Sequence, residues 1–400
     1  MSSEWGANPQ PRRLLRRVGL IVLSLLLLLA AAVAWKPSRV ALQTLLLLPS
    51  LVDAGPQPLQ LLTPTPHRET LHYRSDPGAS ADLADLWLPA GASRDRPVGG
   101  VVLVLGVNNV GRTYPAVVRF ADAMARSGVA VLVPDSAALL AGNLDPAETG
   151  GVVDAFRLLA SRPEVDPHRV GLVGLSVGGS LAMLAAGDPR IAGDVQWVNA
   201  FGAYADAGVY LAEVAAHAMT VNGTTAPWDP SALTRQVFAR LLLALVPDAT
   251  DRDSLTAATQ ELVESGRIPA LDPALAASLT SPEARAVYAL LTAGTLVRAR
   301  EVVDALPATI TDRLARLSPV RHLAAIHAEV FLMYDTGDAY VPYGQSLELA
   351  DGLRPLGRLA RASQFRLFDH VEAKGVDLVG AAPELWKLLW HVQAVLMETL

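Results

Sequence analysis

Residues 169–179 read Arg169-Val170-Gly171-Leu172-Val173-Gly174-Leu175-Ser176-Val177-Gly178-Gly179. The apolar run from Arg169 to Gly174 reads as a strand buried on both faces, and Val177 to Ala186 reads as a helix. Between them, Gly174-x-Ser176-x-Gly178 sets a serine on a sharp turn. Glycines stand where two backbones must approach without Cβ clashes. Such a serine is held out of the sheet at the start of a helix, whose free N–H groups favour a developing negative charge. The pentapeptide alone says little, because Gly and Ser are common in loops. Its strand–turn–helix context gives it weight.

On either side the chain alternates. Glu69 to Tyr73 and Leu83 to Leu88 read as strands joined by a turn around Asp76-Pro77-Gly78, and Val101 to Leu105 as a fully buried strand. A helix over Tyr114 to Ser127, a strand at Val129 to Val133, a helix from Glu148 to Ser161 and a strand at Gln196 to Phe201 follow. This alternation predicts a mostly parallel sheet with helices on both faces. After Tyr204 it lapses into helical patches. One is opened by Asp229-Pro230 and carries Leu233, Val237, Leu241 and Leu245 on one side; others run from Asp253 to Gly266 and from Ser281-Pro282 to Gly294. A helical insertion without strands, capping the site, is expected there. The rhythm returns with a strand at Val330 to Tyr334, a helix near Gln345 to Leu353, a strand at Gln364 to Phe368 and a helix from Pro383 to about Met397.

A serine hydroxyl is a poor nucleophile and needs a base, which in turn needs an orienting acid. Asp338 follows the strand Val330 to Tyr334, and His370 follows Gln364 to Phe368. Both therefore fall past the C-terminal ends of parallel strands, on the edge that presents Ser176. Asp335 is the alternative acid, with Asp338 then a helix cap; Asp338 is preferred because it lies later in the loop. Asp369, adjacent to His370, is read as structural. A tetrahedral oxyanion would meet the N–H of Val177 and a second donor from the loop Gly106 to Arg112. Val107 is preferred over Asn108 for that donor. The side chains of Asn108 and Asn109 either donate as well or satisfy a turn. His322 and His327 have no carboxylates at ligand spacing, and no metal or cofactor is expected.

Composition narrows the classes. The 400 residues include no cysteine, which excludes disulfides, thiolate metal sites, Cys nucleophiles and lipid anchoring through Cys. A net charge of −6 gives no basic footprint for nucleic acid. Arg12, Arg13, Arg16 and Arg17 precede an uncharged apolar run from Val18 to Trp35, long enough to cross most of a hydrocarbon core about 30 Å thick. The arginines place the N-terminus in the cytoplasm and the main domain outside it. The competing reading is a signal peptide cleaved after Ala32-Val33-Ala34, which also exports the domain. Val40 to Val52 is too short to span. It reads as an interfacial segment or a packed helix ended by Pro49, and the proline-rich stretch Gly55 to Pro66 reads as an extended linker.

The approach Val165-Asp166-Pro167-His168-Arg169 into the Ser176 turn, and Leu317-Ser318-Pro319 leading through Ile326 to Asp338-Ala339-Tyr340-Val341-Pro342, together resemble the α/β-hydrolase superfamily. Within it they resemble the branch of dienelactone hydrolases and prolyl-oligopeptidase-like esterases. The resemblance runs from Arg68 to the C-terminus, interrupted by the insertion. It implies an α/β-hydrolase fold, with Ser176, Asp338 and His370 as a catalytic triad. Two departures stand out: the loop after Leu105 lacks the family's His-Gly pair, and the cysteine nucleophile of dienelactone hydrolases has no counterpart here. The expected organisation is a tail and transmembrane helix over 1–36, an apolar segment and linker over 37–67, core over 68–204 and 319–400, and the insertion over 205–318. The expected activity is hydrolysis of a small-molecule ester or similar acyl bond at a membrane. A catalytically inactive binding module on the same fold is the alternative, and acyltransferase and peptidase activities stay open.

Overall fold

The computed structural model describes residues 35–73, 83–267, 270–374 and 380–400. The strands are β1 (His67–His72), β2 (Leu83–Leu88), β3 (Val98–Val104), β4 (Ala130–Pro134), β5 (Val165–Leu175), β6 (Trp197–Phe201), β7 (Ala218–Val221), β8 (Thr224–Pro227), β9 (Glu329–Asp335) and β10 (Leu359–Phe365). Eight of them form one sheet in the order β1-β2-β4-β3-β5-β6-β9-β10. β2 runs antiparallel to both β1 and β4, and the other neighbours are parallel. Alternation along β3 shows why both faces need covers. Val101 and Leu103 pack with Val40, Leu47, Val117, Met124 and Leu396, whereas Val102 and Val104 pack with Phe156, Leu159, Leu181 and Leu184. One face thus carries the helices Lys36–Leu51, Pro115–Arg126 and Ala382–Thr399, and the other carries Glu148–Ala160 and Val177–Ala186.

The segment between β6 and β9 contains, among the described residues, eight α-helices, two short 3-10 turns and the β7–β8 hairpin. Its two ends meet, because the Val320 N–H donates to the Ala205 carbonyl at 3.1 Å. Gln345, from the core helix Tyr343–Leu353, accepts from the N–H groups of Ala205 and Asp206 and donates to the Glu213 carboxylate at 2.8 Å. Burial pushes the Glu213 carboxyl up to about 7.

Several sequence expectations are corrected. The hairpin was not expected, yet Asn222-Gly223 at its turn, both with positive φ, is a strong two-residue hairpin signal. The helix expected from Asp229-Pro230 is Ala232–Leu243, capped by Ser231. It buries Thr234, Phe238, Ala239 and Leu242 and leaves Leu233 exposed, one position round from the expected face. The segment expected from Asp253 starts earlier, at an Asp248 cap, and breaks at Thr259 into Ala249–Ala258 and Gln260–Ser265. The extended linker contains a short helix, Pro58–Leu62, with proline in its first turn where the missing N–H costs nothing. Lys36–Leu51 is a packed helix, burying Val40, Thr44, Leu47 and Ser50, with Pro49 inside its last turn. β10 begins at Leu359 and ends at Phe365, so the strand expected over Gln364 to Phe368 lies earlier in the chain. No helix among the described residues is long and apolar enough to cross a membrane. The span expected over Val18 to Trp35 lies outside the described residues except for Trp35, and so does the turn at Asp76-Pro77-Gly78.

A neutral histidine is locked inside this core. His391 is fully buried, with Nδ1 on Ser363 Oγ and Nε2 on Asn199 Oδ1, both at 2.8 Å. Burial holds its pKa down at about 3. The folded state therefore resists a proton that the unfolded chain takes up below about 6.5, so stability is full above that pH and falls as pH drops toward 3. Between pH 7.5 and pH 5, the parent should lose roughly 2 kcal/mol more stability than His391→Gln. Urea unfolding of both proteins at the two pH values measures this, since the other titrating groups cancel in the difference. Equal losses would sink the assignment.

Candidate active site

Ser176 sits between β5 and the helix Val177–Ala186 with φ 58° and ψ −132°, a conformation that costs a non-glycine residue energy. The surroundings enforce it. The Ser176 N–H donates to the Phe201 carbonyl of β6 at 2.7 Å, and its carbonyl accepts from Gly179 at 2.8 Å. A methyl group at Gly174 would lie 2.3 Å from the Gly178 carbonyl oxygen, and one at Gly178 would lie 2.2 Å from that of Val104. The turn is this tight because strand and helix touch backbone to backbone.

The two other candidates are brought together. His370 Nδ1 and Asp338 Oδ2 are 2.7 Å apart, and both residues are buried. The second carboxylate oxygen of Asp338 accepts from the N–H groups of Tyr340 at 2.7 Å and Val341 at 3.0 Å, which fixes its orientation. His370 lies in the turn of a small hairpin, Phe368–Asp369 with Glu372–Ala373, at φ 60° and five residues past the end of β10. Tyr340 stacks on its ring at 4.6 Å. With Nδ1 on the carboxylate, Nε2 is the free nitrogen; it is buried without a hydrogen-bond partner among the described residues, Ser176 Oγ included. Such contacts are often loose before substrate binds. A link between the three residues runs through β6: Phe201 accepts the Ser176 N–H, and a methyl on the next residue, Gly202, would lie 3.0 Å from His370 Cε1 and 3.3 Å from Asp338 Oδ2.

Asp335 is placed differently. Its carboxylate accepts from Gly337 N–H at 2.8 Å and Phe368 N–H at 2.9 Å, tying the histidine hairpin to β9. The N–H groups of Val107 and Val177 take part in no hydrogen bond among the described residues. Asn108 is spent on its own loop, accepting from Val110 and Gly111 and donating to the Gly106 carbonyl. Arg112 ties the same loop to Asp135.

Three residues of the insertion were not singled out from sequence. Trp228 Nε1 donates to the Asp338 carbonyl at 2.8 Å, Ser231 N–H to that of Ala339 at 2.6 Å, and Tyr210 Oη to that of Tyr340 at 2.7 Å. Three successive carbonyls of the acid loop are thus held by chain more than a hundred residues away, a contact no local pattern signals. Among the described residues no cluster suited to a metal is present.

No family model matches the chain, and no curated protein matches it. Among solved structures it is similar to the dienelactone hydrolase from Anabaena variabilis, at 14% identity over 84% of this chain and 100% of that one, TM-score 0.42. It is also similar to the acylaminoacyl peptidase of Pyrococcus horikoshii (14%, 85% of this chain, 42% of that one, TM-score 0.43). A third is dipeptidyl peptidase 4 of Porphyromonas gingivalis (10%, 82%, 36%, TM-score 0.46). The chain spans 36% and 38% of the length of the first solved structures that it matches. The fold rests on the sheet itself. With this strand order, covered on both faces, and a glycine-flanked serine turn leaving β5, the chain has the α/β-hydrolase fold.

Proposed function

We propose that this protein is a serine hydrolase that cleaves an ester or similar acyl bond, held at a membrane by the apolar run before Trp35. The observation that carries the reading is the buried His370–Asp338 pair with Nε2 left free, on the sheet edge that presents Ser176 in a strained turn. In this reading Nε2 accepts the Ser176 proton as Oγ attacks the acyl carbon. The N–H groups of Val177 and Val107 receive the oxyanion. His370 then hands its proton to the departing alkoxide, leaving an acyl-enzyme and a free alcohol. Water, giving its proton to Nε2, attacks the acyl carbon; the proton returns to Oγ and the acid leaves. Asp338 keeps the imidazole in the required tautomer throughout.

A fluorophosphonate tests this on the full chain, because only an activated serine displaces its fluoride. The expected result is one adduct, mapped by peptide mass to Ser176 and absent from Ser176→Ala. A folded parent that takes no label would favour a binding module that has kept the fold without the chemistry.

A further inference from the structure

Eleven large apolar side chains are exposed among the described residues, and seven of them lie on one layer of helices. Trp35 leads into the helix Lys36–Leu51, whose Leu42 and Leu45 point away from its buried side of Val40, Thr44 and Leu47. The adjoining short helix buries Leu59 and exposes Leu61 and Leu62. Beside them, Ala382–Thr399 buries Leu388, His391 and Val395 and turns Trp386 and Trp390 outward. Lys36–Leu51 packs on both Pro58–Leu62 and Ala382–Thr399, which join it in covering one side of the sheet, and Trp386 and Trp390 also border a groove with Arg361 to Gln364 of β10. Leu61, at 82% exposed, has no packing reason to be leucine.

We propose that this helical layer is a docking face for a lipid bilayer containing anionic lipids, on which the catalytic domain lies flat. This rests on the membrane tether of the proposed function. Three features favour lipid as the occupant. The uncharged apolar sequence of residues 18–34 ends where this face begins, so a span there would leave no slack between membrane and domain. Three of the seven residues are tryptophans, the side chain that membrane–water interfaces favour. Lys36 and Arg39, exposed on the first helical turn, suit anionic headgroups. Large apolar side chains exposed in groups, not singly, mark interaction surfaces. In this pose the strands run parallel to the membrane, and the edge carrying Ser176 opens sideways along its surface.

The absence of cysteine from the sequence makes the test direct. Leu42→Cys, Leu61→Cys, Trp386→Cys and, as control, the exposed insertion residue Val297→Cys are each labelled with a nitrobenzoxadiazole dye. The full-length proteins are reconstituted into phosphatidylcholine–phosphatidylglycerol vesicles. Labels at 42, 61 and 386 should be quenched several-fold more than that at 297 by nitroxide-bearing lipid, and several-fold less by aqueous iodide. Equal iodide access at all four positions overturns the proposal. Shielding from iodide without quenching by the lipid nitroxide overturns it too, because the face is then covered by residues 18–34 or by a second copy. A chain that fails to float with the vesicles overturns both the tether and the face. The readout needs no turnover, so the expected pattern on an inactive protein would sink the hydrolase reading alone.

Discussion

His370→Ala should lower kcat for an activated ester by a factor on the order of 10⁴ to 10⁶, and Asp338→Asn by about 10⁴. The two losses have different causes. In the proposed mechanism, removing the imidazole leaves Ser176 without its base, and what remains is binding and the two backbone donors. With Asn at 338, the ring survives but its partner now offers an amide, so the tautomer that presents a lone pair at Nε2 is no longer favoured. The 2.7 Å contact and the two N–H groups on the second carboxylate oxygen leave Asn little freedom to rearrange. Asp335→Asn is the informative comparison. Its oxygens hold Gly337 and Phe368 backbone, not the ring, so it should cost stability and shift the hairpin while keeping far more of kcat. Steady-state kinetics on the three variants, with melting curves alongside, decide the matter. A larger loss of kcat at Asp335 than at Asp338 would reverse the assignment of the acid.

Gly178→Ala should destabilise the fold by about 3 kcal/mol or more, lowering Tm by roughly 4 °C or more in a chain of 400 residues. The added methyl would meet the carbonyl oxygens of Val104 at 2.2 Å and Leu105 at 2.6 Å. These are backbone atoms at the end of a central strand, so relief requires moving the helix Val177–Ala186 away from β3 and Ser176 with it. Gly193→Ala is the control, since nothing lies within 4 Å of a methyl group there, and its effect should stay within about 0.5 kcal/mol. Calorimetry on both variants reads this. If Gly178→Ala melts with the parent, the turn is less constrained than its contacts imply.

Much of the scaffold was legible in the chain because its information is local. Buried parallel strands must be apolar on both sides, which made Val101 to Leu105, Val129 to Val133 and Val330 to Tyr334 readable as runs. The Ser176 turn was readable because only glycine fits on either side of it. The insertion resisted reading for the opposite reason. Its helices are short and bury narrow stripes set by their neighbours, so Phe238 and Leu242 carry the packing where the apolar pattern points to Leu233. The β7–β8 hairpin is signalled by Asn222-Gly223 alone, because its strands are short and mostly exposed or half-buried. The start of β10 is hidden in the sequence because its first residues, Leu359 to Ser363, alternate between partly buried and exposed.

Sequence alone determined the strand–helix alternation of the core, the serine turn and the residue types that follow β9 and β10, since each depends on a few consecutive side chains. Tertiary structure alone decided which of Asp335 and Asp338 meets His370. Asp335 ends β9 and Asp338 follows three residues later, and only the path of the loop, held through its carbonyls by Trp228, Ser231 and Tyr210, turns one carboxylate to the ring and the other to the backbone. Those contacts join residues more than a hundred positions apart, and no local pattern encodes a distance.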